Sequence, residues 1–143
     1  MINSVRHTGI VVRDLEKAVN FYRALGFIDF NNAIEEGQFI DQVTGLTGIK
    51  LEWVKLKAPD GNLLELLKYH SDIDRLNLEL QDSDKLGCSH MAYGVDDIEK
   101  TCETIKEMGG SVVNKPALSN DKKAKVAYCH DLEGVLMEIV EIQ

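Results

Sequence analysis

Two stretches of the chain share one helical pattern of apolar positions. Apolar or small residues recur at i, i+3, i+4, i+7 and i+10, which places their side chains on one face of an α-helix. The two sets lie 83 positions apart: Leu15, Ala18, Val19, Tyr22 and Leu25, then Ile98, Thr101, Cys102, Ile105 and Met108. The pattern predicts two equivalent amphipathic helices.

Polar residues and glycines predict where these helices begin and end. Asp14 precedes the first helix and Asp96 or Asp97 the second. Aspartate is favoured at an N-cap because its carboxylate accepts a hydrogen bond from a backbone N–H that has no partner in the helix. Gly26 and Gly109 follow the last turns, where glycine adopts the left-handed conformation at little cost.

Runs rich in valine, isoleucine and leucine surround each predicted helix and indicate strands. They are SVRHTGIVV, FIDF, IKLEWVKLK and NLLELLKY in the first half, and CSHMAYGV, SVVN, KVAYCH and VLMEIVEI in the second. Each half therefore has a β-α-β-β-β pattern. We predict one α+β domain built from modules 1–70 and 88–143, joined by a polar linker, 71–87, that contains one short helical turn. Another helical turn is predicted from Asp41 to Leu46.

The ends of the two halves also repeat. The pattern G-x-L-x-E-[LI]-[LV] occurs at Gly61 to Leu67 and again 73 positions later, at Gly134 to Val140. Because the helices repeat at 83 positions and these strands at 73, the first half carries ten more residues between helix and last strand. A duplication with one longer loop explains both distances.

Charge and composition exclude several classes of function. The net charge is -8, from 16 basic and 24 acidic residues, and would repel nucleic acid and anionic membrane surfaces. No apolar run is as long as a membrane helix, and the first predicted strand leaves no room for a signal peptide. The three cysteines form no C-x-x-C pair. We expect a cytoplasmic protein with reduced thiols that binds a small molecule.

Histidine and glutamate repeat at equivalent places in the two halves. Glu65 and Glu138 lie within the apolar last strands, where a carboxylate is costly to bury without a compensating partner. Strand alternation places His7 and His90 on faces kept open by small residues. Two imidazoles and two carboxylates suit one divalent ion such as zinc, nickel, cobalt, manganese or ferrous iron. His70 and His130, at strand ends, are predicted to be surface groups.

The motifs that carry these residues resemble the vicinal oxygen chelate superfamily, which includes glyoxalase I, methylmalonyl-CoA epimerase, extradiol dioxygenases and bleomycin resistance proteins. The resemblance rests on HTGIVVRDLEKAVNFYRALGF, PDGNLLELLKY, HMAYGVDDIEKTCETIKEMGG and HDLEGVLMEIVE. It implies a cup-shaped mixed sheet around a metal site, with His7, Glu65, His90 and Glu138 as the ligands. Whether one chain forms the cup or two chains exchange modules stays open.

The resemblance implies a metal-dependent lyase or isomerase of the glyoxalase I or epimerase type, which moves a proton next to a carbonyl through a metal-stabilised enediolate or enolate. Glu138 is the favoured proton carrier, and Glu65 would serve the opposite face. The alternatives are an Fe(II)-dependent extradiol-type dioxygenase using His7, His90 and Glu138, or a non-catalytic binding protein for an antibiotic or another small molecule.

The sequence is compatible with two classes of substrate. The bacterial glyoxalases resembled here carry an arginine four residues after the first histidine, and this chain has Val11 there. The strand IVVRDLEKA is more similar to that of the epimerase, whereas the longer first half departs from it. A thioester and a hemithioacetal therefore both stay open. The superfamily is commonly dimeric, so we expect a homodimer.

Overall fold

The computed structural model describes residues 2–70, 80–84 and 86–143. The predicted linker 71–87, including its helical turn, lies largely outside the described residues. The chain divides into two compact units, Met1–Asn77 and Leu78–Gln143. Unit 1 consists of β1 (Thr8–Val11), α1 (Leu15–Ala24), β2 (Ile28–Glu36), α2 (Gln38–Thr44), β3 (Lys50–Lys57) and β4 (Leu63–Tyr69). Unit 2 consists of β5 (Met91–Gly94), α3 (Ile98–Glu107), β6 (Ser111–Val112), β7 (Ala117–Leu118), β8 (Ala124–His130) and β9 (Leu136–Ile142).

Each unit contains one mixed sheet, and the α+β class predicted from the sequence is confirmed. The strand order is β1-β4-β3-β2 in unit 1 and β5-β9-β8-β6 in unit 2, where β7 also pairs with β8. The first strand of each unit runs parallel to the last one, and the last strand runs antiparallel to its other neighbour. The last strand, which carries the glutamate, therefore lies inside each sheet.

Both predicted helices form, with the predicted boundaries. The carboxylate of Asp14 accepts a hydrogen bond from the N–H of Lys17, and Asp97, rather than Asp96, does the same for Lys100. Gly26 and Gly109 lie just past the helix ends with φ of 96° and 92°, in the left-handed region that glycine tolerates best. The local capping signals therefore define these helices.

The extra residues of unit 1 form α2, which replaces the predicted turn at Asp41 to Leu46 with a slightly earlier helix. Gly37, with φ of 90°, precedes it. The carboxylate of Asp41 accepts hydrogen bonds from the N–H groups of Gly48 and Ile49. Ile40 packs in a small core with Ile49. The insertion is thus held by its own hydrogen bonds and by an apolar cluster shared with Leu51 of β3.

Unit 2 departs from the prediction at its second strand. The expected strand SVVN is only two residues long, and a second short strand, β7, pairs farther along β8. Pro116 lies between them, and proline has no N–H to donate to a β-ladder. The strand that is continuous in unit 1 as β2 is interrupted here.

Alternation along the last strands separates a core face from a site face. Leu64 and Leu66 are 2% and 0% exposed in β4, and Met137 and Ile139 are 0% and 1% exposed in β9. Helix α1 packs against β3 and β4, and α3 packs against β6, β8 and β9. The glutamate between each buried pair therefore faces away from that apolar layer. None of the helices among the described residues has the length and apolarity needed to cross a bilayer.

Candidate functional site

Unit 1 brings His7 and Glu65 into direct contact. His7 lies one residue before β1, on the same face as Gly9, and Gly9 is paired with Glu65 across the parallel ladder. The imidazole Nε2 lies 2.9 Å from Glu65 Oε2. Only 9% of Glu65 is exposed. Of the two possibilities that the apolar context of β4 allowed, exposure to water or compensated burial, the structure shows burial beside a polar group of the same unit.

Unit 2 repeats this pair at the equivalent register. Ala92 of β5 is paired with Glu138 of β9, and His90, two residues before Ala92, places its Nε2 3.2 Å from Glu138 Oε2. The edge of the His90 ring packs against Tyr128, with 5.2 Å between ring centroids. The serine before His90 has its hydroxyl 3.2 Å from His90 Nδ1. These contacts orient the imidazole toward the glutamate.

Lys55 is a further charged group at the unit 1 pair, and sequence reasoning missed it. It faces Glu65 directly across the antiparallel β3–β4 ladder, and its Nζ lies 3.1 Å from Glu65 Oε1. The ammonium also lies over the Trp53 ring, 4.5 Å from the centroid. The sequence contained a signal for this contact. If the turn lies between Lys57 and Leu63, two steps outward along each strand place Lys55 opposite Glu65.

The donor atoms of the two pairs fit a divalent ion. Each pair presents an imidazole nitrogen and a carboxylate oxygen within 3.2 Å of each other. Imidazole and carboxylate are ligands for zinc, nickel, cobalt, manganese and iron. Both glutamate side chains are more than three-quarters shielded from solvent. Each unit therefore presents one of the two predicted histidine–glutamate pairs.

Another acidic cluster, formed by Asp97, Glu99 and Glu141 in unit 2, has structural partners. Asp97 caps α3, Glu99 accepts a hydrogen bond from Lys125, and Glu141 accepts one from the N–H of Ile98. Such exposed carboxylates at a helix N-terminus are stabilised by the helix dipole. The cluster accounts for the start of α3.

The other two histidines have structural roles. His70 is exposed, as predicted, with its Nε2 2.8 Å from Glu52 Oε2. The prediction for His130 is wrong: it is only 7% exposed. Its Nε2 lies 2.9 Å from the carbonyl oxygen of Gln81, and its Nδ1 lies 3.3 Å from Ser111 Oγ. The long-range contact with Gln81 buries a residue that its sequence neighbourhood placed at the surface.

Two of the thiols are poor candidates for nucleophilic chemistry. Cys102 and Cys129 are buried in unit 2, with their sulfur atoms 4.0 Å apart. Burial raises the pKa of Cys102, and it raises the pKa of Cys129 to about 12. A thiol with a raised pKa stays protonated at neutral pH, whereas the thiolate is the reactive form. These cysteines belong to the core.

Comparison with known proteins identifies the family. The sequence profile of the Glyoxalase/Bleomycin resistance protein/Dioxygenase superfamily matches residues 4–139. The chain belongs to this superfamily. A relative called probable lactoylglutathione lyase, from Synechocystis sp., is 27% identical, with 94% of this chain and 92% of that protein covered. The lactoylglutathione lyase of Haemophilus influenzae is 24% identical, with 96% and 91% covered.

Solved structures of superfamily members have the same fold. The crystal structure of a glyoxalase family protein from Bacillus cereus is similar with a TM-score of 0.89 and 22% identity, covering 99% of this chain and 95% of that one. A fosfomycin resistance protein from Listeria monocytogenes, crystallised with Mn(II) and dihydroxypropylphosphonic acid, has a TM-score of 0.62 and 15% identity, covering 97% and 90%. The superfamily fold therefore accommodates more than one chemistry.

Proposed function

We propose that this chain is a metal-dependent lyase or isomerase of the lactoylglutathione lyase or epimerase type. The observation that carries the proposal is the repetition of one histidine–glutamate pair at equivalent registers of two sheets. A shared ion would need both pairs, and each unit presents one of them with its imidazole beside a shielded carboxylate. The relatives called lactoylglutathione lyase support the reaction class.

The proposed ligands are His7, Glu65, His90 and Glu138, which together hold one divalent ion. The ion, once bound, supplies Lewis-acid polarisation of a substrate oxygen. The protein contributes the ligand geometry and the partial shielding from water seen at both glutamates. Two carboxylates also balance the charge of a divalent ion, which favours this full set over a triad.

Glu138 is the proposed proton carrier. Its side chain is 24% exposed, against 11% for Glu65, and Tyr128 rather than a lysine faces it across the ladder. Glu65 has Lys55 on one oxygen and His7 on the other, so its carboxylate is held more firmly. A carboxylate that accepts a proton from carbon must reach the substrate, and the less constrained glutamate is better suited to that role.

The proposed substrate is a small molecule with an acidic C–H next to a carbonyl, either a hemithioacetal or a thioester. An Fe(II)-dependent dioxygenase would use a two-histidine, one-carboxylate set with open positions for oxygen and substrate. Glu65, as a fourth ligand, would occupy one of those positions. This contrast favours proton transfer over oxygen chemistry.

The test begins with the metal content of protein purified without chelator. We expect about one divalent ion per chain, as for other single-site metalloenzymes, and a large loss in His90→Ala. The matched control is His70→Ala, which removes an exposed imidazole that already has a glutamate partner and should leave the metal content unchanged. Equal metal content in all three folded proteins would refute the site.

Activity is then measured on the metal-replete protein with a glutathione hemithioacetal and with a 2-epimeric acyl-CoA thioester. Turnover of one of them that is lost in His90→Ala would support the proposed reaction class. Tight binding of a small molecule without turnover would instead indicate a binding protein. Assembly is tested separately, because the predicted homodimer requires twice the monomer mass in sedimentation.

A further inference from the structure

The carboxylate of Glu65 has a different partner on each of its two oxygens. Lys55 Nζ lies 3.1 Å from Oε1, and His7 Nε2 lies 2.9 Å from Oε2. The Lys55 side chain is only 21% exposed, and its ammonium is held on another side by the Trp53 ring. A buried carboxylate with an adjacent, partly buried ammonium is a compensated ion pair rather than a loose surface contact.

The fold itself does not require this lysine. The equivalent position of unit 2 is Tyr128, which faces Glu138 across the β8–β9 ladder just as Lys55 faces Glu65. Tyr128 brings no ammonium group to Glu138, and its ring packs against His90. The two halves therefore share their proposed ligands but differ in the charge placed beside them.

We propose that Lys55 is an internal counter-cation of Glu65, which lowers the affinity of the chain for a divalent ion. This inference rests on the proposed metal site. In metal-free protein the ammonium offsets the cost of burying the carboxylate. Because it binds Oε1, it makes that oxygen of Glu65 a poorer ligand for a metal. A bound divalent ion and the ammonium then repel each other across one carboxylate.

Removing the Lys55 ammonium should change the stability of the metal-free protein and the affinity for a divalent ion in opposite directions. Removing the ammonium leaves a buried carboxylate without its main charge partner, so the metal-free protein becomes less stable. The same change removes a repulsion and frees a ligand oxygen, so a divalent ion binds more tightly. A residue that only helped to pack β3 against β4 would lower stability without strengthening metal binding.

The first experiment measures the dissociation constant for Zn²⁺ by competition with a chromophoric chelator at fixed pH. Lys55→Met keeps the length of the side chain and removes its charge, and we expect about tenfold tighter binding. Lys55→Arg keeps the charge and should bind Zn²⁺ like the wild type. Lys57→Met is the matched control: it is on the same strand and loses the same charge, but its ammonium lies over Phe30, 4.4 Å from the ring centroid.

Equal or weaker zinc binding by Lys55→Met than by Lys57→Met would overturn the inference. Lys55→Gln repeats the measurement if the methionine variant does not fold. Zinc binding that is absent from the wild type, or unaffected by His90→Ala, would refute the proposed metal site and, with it, the effect on metal affinity. Loss of binding in His90→Ala with no gain in Lys55→Met would refute only the role of Lys55.

The second experiment needs no metal. Urea unfolding of metal-free protein compares Lys55→Met in the wild-type background with the same change in a Glu65→Gln background. We expect a clear fall in the midpoint in the first and little change in the second, because the neutral amide needs no counter-cation. Equal effects in both backgrounds would show that Lys55 does not compensate Glu65.

Discussion

The two histidine–glutamate pairs differ in their surroundings, although their positions in the two sheets are equivalent. Glu65 is clamped between a histidine and Lys55, whereas Glu138 has His90 beside it and Tyr128 across the ladder. Both units present the donor atoms that the proposed shared ion would need. The residue that faces each glutamate differs, and this difference is why we propose Glu138 rather than Glu65 as the proton carrier.

The largest effect that would distinguish the pairs is on turnover. Replacing Glu138 with Gln keeps the size of the side chain but removes its basic oxygen, and we expect turnover to fall by about 10²–10⁴-fold. Glu65→Gln should lower turnover by a smaller factor if the proton is moved on only one face of the substrate carbon. The measurement is entry of solvent deuterium at the carbon next to the carbonyl, in metal-replete protein. Deuterium exchange at the wild-type rate in Glu138→Gln would show that Glu138 is not the base.

Truncation of a core residue should destabilise the two units to a similar extent. The difference between the units would then be confined to the surroundings of the two histidine–glutamate pairs. Leu66 and Ile139 occupy equivalent places on β4 and β9 and are 0% and 1% exposed. Truncating either residue to alanine should lower the free energy of unfolding by about 2–5 kcal/mol, because each leaves a cavity. Urea unfolding measures this, with Ile142→Ala as control, since Ile142 is 75% exposed on β9. A small loss for one core variant and a large loss for the other would show unequal cores.

A lysine opposite Glu138 should make the surroundings of the two histidine–glutamate pairs more alike. Tyr128→Lys places an ammonium opposite Glu138, and we expect Zn²⁺ affinity to fall by about tenfold through the same repulsion. Tyr128→Phe keeps the ring against His90 and adds no charge, so it separates the charge from the loss of packing. Equal affinities of the lysine and phenylalanine variants would show that charge at this position does not control metal binding.

The smallest expected effect concerns the start of α3 in unit 2. α3 has a second carboxylate at its start, because Glu141 accepts a hydrogen bond from the N–H of Ile98 at 2.8 Å. This bond, first among several causes, lowers the pKa of Glu141. A lowered pKa in the folded state gives stability that is present above the ordinary glutamate pKa and is lost as pH falls through the folded value.

Glu141→Gln should therefore lower the thermal midpoint at neutral pH and have less effect in acid, below the folded pKa. Thermal unfolding across the acidic range measures the difference, with the exposed Glu103→Gln of α3 as control. A pH-independent loss in Glu141→Gln would assign its effect to something other than the carboxylate charge.

The sequence determined what is local or periodic. The spacing of apolar residues, together with Asp14, Asp97, Gly26 and Gly109, defined α1 and α3, because helix faces and caps depend on residues only a few positions apart. The repeat distances identified the candidate ligands and located the extra length in the first half. Family membership followed from motifs that are continuous along the chain.

Tertiary structure decided what depends on strand pairing and long-range contact. Lys55 reaches Glu65 through the register of β3 with β4, and His130 is buried by a contact with Gln81, 49 positions away. Composition around a residue does not encode such partners, because a strand side chain is equally compatible with water or with a charge on its neighbour. The register is the same in both units, so the asymmetry lies in the residue at that position, Lys55 or Tyr128, and the pairing is what places each of them opposite a glutamate.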